Sequence, residues 1–354
     1  MQEKVLMKGN EALAEAAIRA GCRHYFGYPI TPQTEVAAYM AKRMPKIGGT
    51  FLQAESEIAA INMVYGAAAA GKRAMTSSSS PGISLKGEGI SYIAACDLPA
   101  LIINVQRGGP GLGGIQPSQS DYFQATRGGG HGDYHLLVLA PSSVQEMADL
   151  VGKGFDLAEK YRMPCMILAD GTMGQMMEPV DLSQEEAVPA EKPWALTGTK
   201  GERKPNIVNS LALDPPSLEQ ENFERFARYD KVRENEQMAE SYLTEDADIV
   251  VVAFGIAARV GKNAVDKCRK KGIKAGLVRP ITLWPFPEKA LKEAAKNAKR
   301  FISVELNMGQ MIDDVRLAID CKCPVDLCCR TGGIIPTPEE VIAAIEKSAE
   351  EASK

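Results

Sequence analysis

Short apolar runs alternate with stretches of helical periodicity along most of the chain. The runs at 24–27, 50–53, 73–76, 99–106, 136–139 and 166–169 have the length and composition of buried strands. Between them, Asn10 offers an N-cap for a helix over 11–19 that stops at Gly21. Further helices are expected over 33–40, 54–71, 89–96, 121–127 and 144–161, the last capped by Pro141-Ser142-Ser143. The regular β-α alternation predicts a parallel sheet with helices on its faces.

From about Pro179 to Glu245 the pattern changes. Pro, Lys, Glu and Asn dominate, no strand is expected, and one charged helix fits 218–239. Trp194 offers an anchor for this crossing segment. The alternation then resumes, with strands at 248–255, 275–278, 301–305 and 325–328 and helices at 260–270, 288–298, 310–319 and 338–350. Residues 280–287 read as a proline-fixed connection. The expected fold class is α/β with two parallel-sheet domains: residues 1–178, a connection with an exposed helix over 179–245, and residues 246–354.

Composition narrows the function classes. A hydrophobic content of 45% and a charged content of 24% are those of a globular protein, and a net charge of −4 gives no electrostatic case for nucleic acid or an anionic membrane. No run approaches the ~20 apolar residues of a membrane span. Met1-Gln2-Glu3-Lys4-Val5 lacks a signal-peptide core, so the expected location is the cytoplasm. Of the eight cysteines, Cys22, Cys96, Cys165 and Cys268 are scattered in apolar or helical segments. Cys321, Cys323, Cys328 and Cys329 cluster without zinc or ferredoxin spacing, so they read as structural thiols and no metal site is expected.

Candidate chemistry sits at the ends of the predicted strands. Tyr28-Pro29-Ile30-Thr31-Pro32 is a stiff strand-to-helix turn that presents the Thr31 hydroxyl, with Pro32 suited to the first turn of the helix. Turns of this kind also occur with no ligand. Glu57 lies in the first turn of a nearly uncharged helix, where a carboxylate also merely offsets the helix dipole. That helix, with so little polar surface, is expected to be covered by another layer or subunit. Ser77-Ser78-Ser79-Ser80 reads as a polar loop able to bind an anion or to solvate a turn. Arg107 ends an apolar strand, and Gly109, Gly111 and Gly114 after it satisfy G-x-G-x-x-G. Pro110 interrupts that match and no helix follows, so a loop covering a ligand above Arg107 fits better than a dinucleotide site. His131 in a glycine-rich loop reads as solvated, with a proton shuttle as the sharper alternative.

Taken in order, Gly27-Tyr28-Pro29-Ile30-Thr31-Pro32, Gln53-Ala54-Glu55-Ser56-Glu57, Gly66-Ala67-Ala68-Ala69-Ala70-Gly71, Thr76 to Gly82, Arg107, Glu305 to Gln310 and Thr331 to Pro338 resemble the alpha-type subunit of 2-oxoacid:ferredoxin oxidoreductases. The closest group is the 2-oxoisovalerate (3-methyl-2-oxobutanoate) enzymes. The resemblance implies a thiamine-diphosphate pyrimidine-binding domain followed by a transketolase C-terminal-like domain. It implies that Glu57 faces N1′ of the aminopyrimidine, with Glu55 its rival by proximity, and that Tyr28 and Pro29 also line the cofactor. Thr31 and Arg107 would hold the substrate, Arg107 by its carboxylate. The family's Gly-Asp-Gly motif for diphosphate and Mg2+ and its cluster cysteine motifs are absent from this sequence. Both are expected on partners: a beta-type subunit sharing the thiamine diphosphate, and an iron-sulfur subunit passing electrons to ferredoxin. Coenzyme A would accept the acyl group. A branched-chain 2-oxoacid is favoured over 2-oxoglutarate, which needs a second cation; Arg127 is the one candidate. A nicotinamide-dependent dehydrogenase and a non-catalytic assembly subunit are the readings from other classes.

Overall fold

The computed structural model describes residues 4–183 and 186–353. The first half contains β1 (Val5–Lys8), α1 (Gly9–Arg19), β2 (His24–Gly27), α2 (Thr34–Arg43), β3 (Thr50–Gln53), α3 (Glu57–Ala69), β4 (Ala74–Ser78) and α4 (Ser80–Ala95). It continues through β5 (Leu101–Gln106), α5 (Tyr122–Thr126), β6 (Leu137–Leu139), α6 (Val144–Tyr161), β7 (Cys165–Asp170), α7 (Gly171–Gln175) and β8 (Met177–Val180). The second half contains α8 (Pro215–Asn235), β9 (Ala239–Tyr242), β10 (Ile249–Val252), α9 (Gly255–Lys270), β11 (Ala275–Pro280) and β12 (Thr282–Trp284). It ends with α10 (Glu288–Ala294), β13 (Arg300–Glu305), α11 (Met311–Ala318), β14 (Val325–Cys329) and α12 (Pro338–Ala352).

Two sheets carry the fold. One has seven strands in the order β12-β6-β7-β5-β4-β2-β3 and the other five in the order β14-β13-β10-β11-β9. Each is parallel except for one antiparallel edge, β12 on β6 and β9 on β11. The α/β class with parallel sheets is thus as the sequence predicts. In the larger sheet, right-handed crossovers put α3 and α4 on one face and α2 and α6 on the other. β4, β5, β6 and β7 are buried throughout, which is why β6 and most of β5 and β7 read as apolar runs.

Several elements differ from the sequence expectation. Residues 280–287 include β12, which leaves the second half of the chain to pair with β6, Ala140 N donating to Ile281 O at 2.8 Å. β9 falls within the segment expected to be strand-free and closes one edge of the smaller sheet. β1 and β8 pair with each other as a separate ribbon. Asn10 is not a cap. Lys8 precedes α1, and buried Asn10 donates to Pro32 O at 2.8 Å and Glu35 Oε2 at 2.9 Å, tying α1 to the turn before α2. Pro32 likewise lies before α2, whose N-cap is Gln33, so it shapes the turn rather than the helix.

A polar seam joins the halves. Gln119 Nε2 donates to Phe254 O at 2.8 Å, Asn307 Nδ2 to Gln119 O at 2.9 Å and Gln310 Nε2 to Ser120 O at 2.8 Å. Glu305, fully buried at the end of β13, accepts from Ser303 Oγ and from the backbone N–H of Gln310, Met311 and Ile312 at 2.8–2.9 Å. It satisfies donors that α11 would otherwise leave open at its N-terminus. His135 stacks on Trp284 of β12 with centroids 4.5 Å apart, and Tyr229 of α8 meets that Trp edge-on. No helix among the described residues is long and apolar enough to cross a membrane.

Candidate active site

The C-terminal ends of β2, β3, β4, β5 and β7 open on one edge of the larger sheet, the usual place for ligands in open α/β folds. The predicted site residues all follow these ends. Tyr28–Pro32 follows β2, Glu57 follows β3, and Arg107 follows β5.

The turn after β2 is held from beneath. Buried Tyr25 lies with its hydroxyl 2.7 Å from Ser77 Oγ, Ser77 donates to Gln33 Oε1 at 2.5 Å, and Gln33 Nε2 reaches Tyr28 O at 3.4 Å. Pro32 O accepts from Asn10 and from Gln175 Nε2. Thr31 and Pro29 are left exposed at the top of the turn, and the Thr31–Pro32 peptide is cis.

Arg107 meets that turn. Its guanidinium donates to Thr31 O at 3.0 Å and to Leu112 O at 3.1 Å, while Nε is buried with no partner among the described residues. The glycine loop therefore folds back over Arg107. Gly114 N donates to Gly108 O, Arg107 bridges Pro117, and no helix begins before Tyr122, so the loop does not form a dinucleotide fingerprint.

Glu57 opens α3 behind Ser56, whose Oγ accepts from Ala59 N at 3.1 Å. Glu57 is 7% exposed, whereas Glu55 stands outside the helix and exposed. The carboxylate packs against α4 where Gly82 has no side chain. A Cβ there would stand 2.8 Å from Glu57 Oε1 and 2.1 Å from Ser78 Oγ. Glu57 is thus seated in a space that glycine keeps open.

The serine run is a correction to the sequence reading. It is neither a loop nor solvated: β4 extends to Ser78, α4 begins at Ser80, and all four serines are buried. Ser80 Oγ accepts from Arg107 N at 3.0 Å and lies 2.6 Å from Asp121 Oδ2, which also accepts from Asn104 Nδ2 at 2.9 Å. Burial pushes the Asp121 carboxyl up, against these hydrogen bonds. Ser78 Oγ, beside Glu57, and Ser79 Oγ, at the N-cap of α4, have no partner among the described residues. Ser80, Asn104 and Asp121 were missed in the sequence; the signal was Ser-Pro, which suits a helix start as well as a loop.

Arg127 is occupied elsewhere. It pairs with Asp314 at 2.8 Å and lies over the Phe123 ring, on the seam between the halves. His131 is exposed and 3.4 Å from Ser91 Oγ. Cys22, Cys165 and Cys268 are buried, burial pushing Cys22 up to about 12 and Cys268 to about 11. Such thiols are inert at neutral pH. No three His, Cys, Asp or Glu side chains among the described residues are grouped to hold a metal.

A cleft of about 630 Å³ runs from Ser80 and Pro81 past Gly108–Gly111 to Asn307, Gln310 and Thr331. Its lining includes one charged residue, Asp121. Both halves of the chain contribute, and Arg107 lies at the root of the loop that forms one wall.

Residues 15–247 match the family described as pyruvate flavodoxin/ferredoxin oxidoreductase, thiamine-diphosphate-binding, and residues 247–341 match pyruvate:ferredoxin oxidoreductase core domain II. The chain belongs to the 2-oxoacid:ferredoxin oxidoreductase family. It is 50% identical over 98% of its length, and 99% of the relative's, to the ketoisovalerate oxidoreductase subunit VorB of Methanothermobacter thermautotrophicus. It is 38% identical to the 2-oxoglutarate synthase subunit KorA of that organism, over 98% of this chain and 99% of the relative. Among solved structures it matches a 2-oxoglutarate:ferredoxin oxidoreductase from Magnetococcus marinus with a TM-score of 0.88 and 29% identity, spanning 98% of this chain and 66% of that one. The chain is an oxidoreductase subunit with a thiamine-diphosphate-binding domain, as its sequence motifs imply. The reading as a nicotinamide-dependent dehydrogenase falls with this finding.

Proposed function

We propose that this chain is a catalytic subunit of a thiamine-diphosphate-dependent oxidoreductase that converts a branched-chain 2-oxoacid and coenzyme A to acyl-CoA and CO2, passing two electrons singly to ferredoxin. The observation that carries it is the Glu57 carboxylate, buried in the space left by Gly82 on the edge that also holds Thr31 and Arg107. The unpartnered Ser78 hydroxyl beside it fits a ligand with a polar rim at this spot. Bound thiamine diphosphate would supply the carbon nucleophile and electron sink for decarboxylation. Glu57 would hold and exchange a proton at N1′ of its pyrimidine, with Tyr28 and Pro29 along its flank.

Arg107 would neutralise the substrate carboxylate through the guanidinium face not already committed to Thr31 O and Leu112 O. The Thr31 hydroxyl would donate to the same carboxylate or the ketone. The overlying glycine loop would exclude water. A branched aliphatic substrate fits better than 2-oxoglutarate because Arg127 is paired to Asp314, and the cleft's one charge, Asp121, would repel a second carboxylate. The 50% identity to a ketoisovalerate oxidoreductase subunit points the same way.

The diphosphate, Mg2+ and iron-sulfur clusters belong on a beta-type subunit and an iron-sulfur subunit, in a cytoplasmic complex. The outward stripe of α3 and its surroundings, with Ile58 51% and Leu85 52% exposed, suits such a neighbour. The test is Glu57→Gln in the reconstituted complex, with 2-oxoisovalerate and a viologen dye. Turnover should fall at least ~100-fold with assembly intact. Unchanged turnover would leave a non-catalytic assembly role instead.

A further inference from the structure

Lys86 of α4 has no part in the site described so far. It follows Gly82 by four residues and precedes Gly89 by three, so all three lie on the helix face turned to α3. A Cβ on Gly82 would meet Glu57 Oε1 at 2.8 Å, and one on Gly89 would meet Ile61 Cγ2 at 2.4 Å. Side chains of α3 therefore press on the bare backbone of α4 on either side of Lys86. Lys86 itself is fully buried. Nζ donates to Glu57 O at 3.4 Å, its one hydrogen bond among the described residues. On its other side, Gly87 packs against the backbone of Gly129, which brings no charge. The Glu57 carboxylate raises its pKa against the burial that lowers it.

A lysine in such a place is costly, because an ammonium with two unused donors has left water. The α3–α4 contact is otherwise built of small and aliphatic side chains, so packing alone does not call for a charge there. A buried carboxylate in general has the mirror problem, since leaving water disfavours its charged form unless a counter-charge is near.

We propose that Lys86 is a positioning residue that supplies the buried counter-charge for Glu57 and so holds it as a carboxylate in its place beside Gly82. This rests on the role given to Glu57 above. Lys86 is sealed behind the helix contact and does not reach the cleft. It acts through Glu57, fixing the first turn of α3 by its hydrogen bond and the charge state by its field. Burial pulls its own amine down to about 8, while Glu57 pulls it up, so the ammonium persists at neutral pH.

The test separates charge from hydrogen bonding. Lys86→Met removes both, Lys86→Gln keeps a donor without charge, and Lys86→Arg keeps the charge. Glu57 is followed by infrared titration of its carboxylate band in the full chain without thiamine, assigned by its loss in Glu57→Gln. The acid limb of turnover is followed in the complex. In both Lys86→Met and Lys86→Gln the band should give way to the carboxylic-acid band at a pH about 1–2 units higher than in wild type. Lys86→Arg should stay near wild type, and the acid limb should move in step. An unmoved band in Lys86→Gln overturns the proposal, as does a shift confined to Lys86→Met, which would assign the effect to the hydrogen bond. Wild-type turnover in Glu57→Gln would sink the catalytic role of Glu57, whereas the infrared shift would still decide the charge pairing.

Discussion

Gly82 and Gly66 set up a comparison in which one substitution has opposite effects on two touching helices. Both lie in helices, where replacing glycine by alanine contributes about 1 kcal/mol from backbone propensity alone. At Gly66 an added Cβ meets no atom within 4 Å. Gly66→Ala should therefore keep most of that gain, raising the melting temperature of the isolated chain by about 1 °C. At Gly82 the same Cβ lands 2.1 Å from Ser78 Oγ and 2.8 Å from Glu57 Oε1. Both are side-chain atoms, so the fold can yield. Ser78 Oγ has no partner to lose and can rotate away, which leaves the displacement on Glu57. Overpacking of this kind costs about 1–3 kcal/mol, so Gly82→Ala should lose about 0–2 kcal/mol net of its propensity gain. In the role proposed for Glu57 its larger effect should be on chemistry: a displacement of about 1 Å there should lose ~100-fold in turnover. Thermal melts of the chain and dye reduction by the complex measure the two effects. If Gly82→Ala is as stable as Gly66→Ala and turns over within about threefold of wild type, the seating argument is wrong.

Two further outcomes concern buried acids. Asp170 accepts from Thr172 N and Met173 N, yet burial raises its carboxyl from 3.8 to about 6. A raised acid stabilises the fold fully below its unfolded value near 4, and this contribution is lost as pH rises through about 6, amounting to about 3 kcal/mol at pH 7. Asp170→Asn keeps the cap, so its denaturant midpoint should exceed wild type at pH 7 and match it near pH 4; parallel pH profiles for the two would refute the assignment. Glu305→Gln turns one of the oxygens capping α11 into a donor facing a donor and should lower stability by about 2–4 kcal/mol in urea titrations. A loss under about 0.5 kcal/mol would mean that water replaces the carboxylate.

The sequence was most legible where local signals and burial agree. Val144–Tyr161 is a helix at both predicted ends because Ser143 caps it and its apolar face repeats without interruption. The central strands declare themselves because both their faces are buried. The signals failed where partners are distant. β12 has three residues and is a strand only because β6, more than 140 residues earlier, lies beside it. The serines after β4 looked wet because hydroxyls usually are. Ser80 is held by Asn104 of β5, by Arg107 just after it and by Asp121 at the start of α5, all distant in sequence. Lys86 reads as an ordinary surface lysine until Gly82 and Gly89 are seen to press α3 against it. Of the site, Thr31 and Arg107 were nominated separately by family resemblance, and their contact through Thr31 O is a fact of the fold alone.

The placement of β12 bears on how such a chain can be divided. By position it belongs to the second half, but by hydrogen bonding it is the outermost strand of the first sheet. A gene split between the two sheets would strip β6 of its outer neighbour and leave Trp284 without the His135 stack. The amino-terminal fragment would expose an unpaired parallel edge, open to adding strands from other chains. A carboxy-terminal fragment would carry β12 as a dangling segment with nothing to pair. Fission at this junction, cuts in the 186–214 segment included, therefore yields two polypeptides that must find each other before the larger sheet is complete.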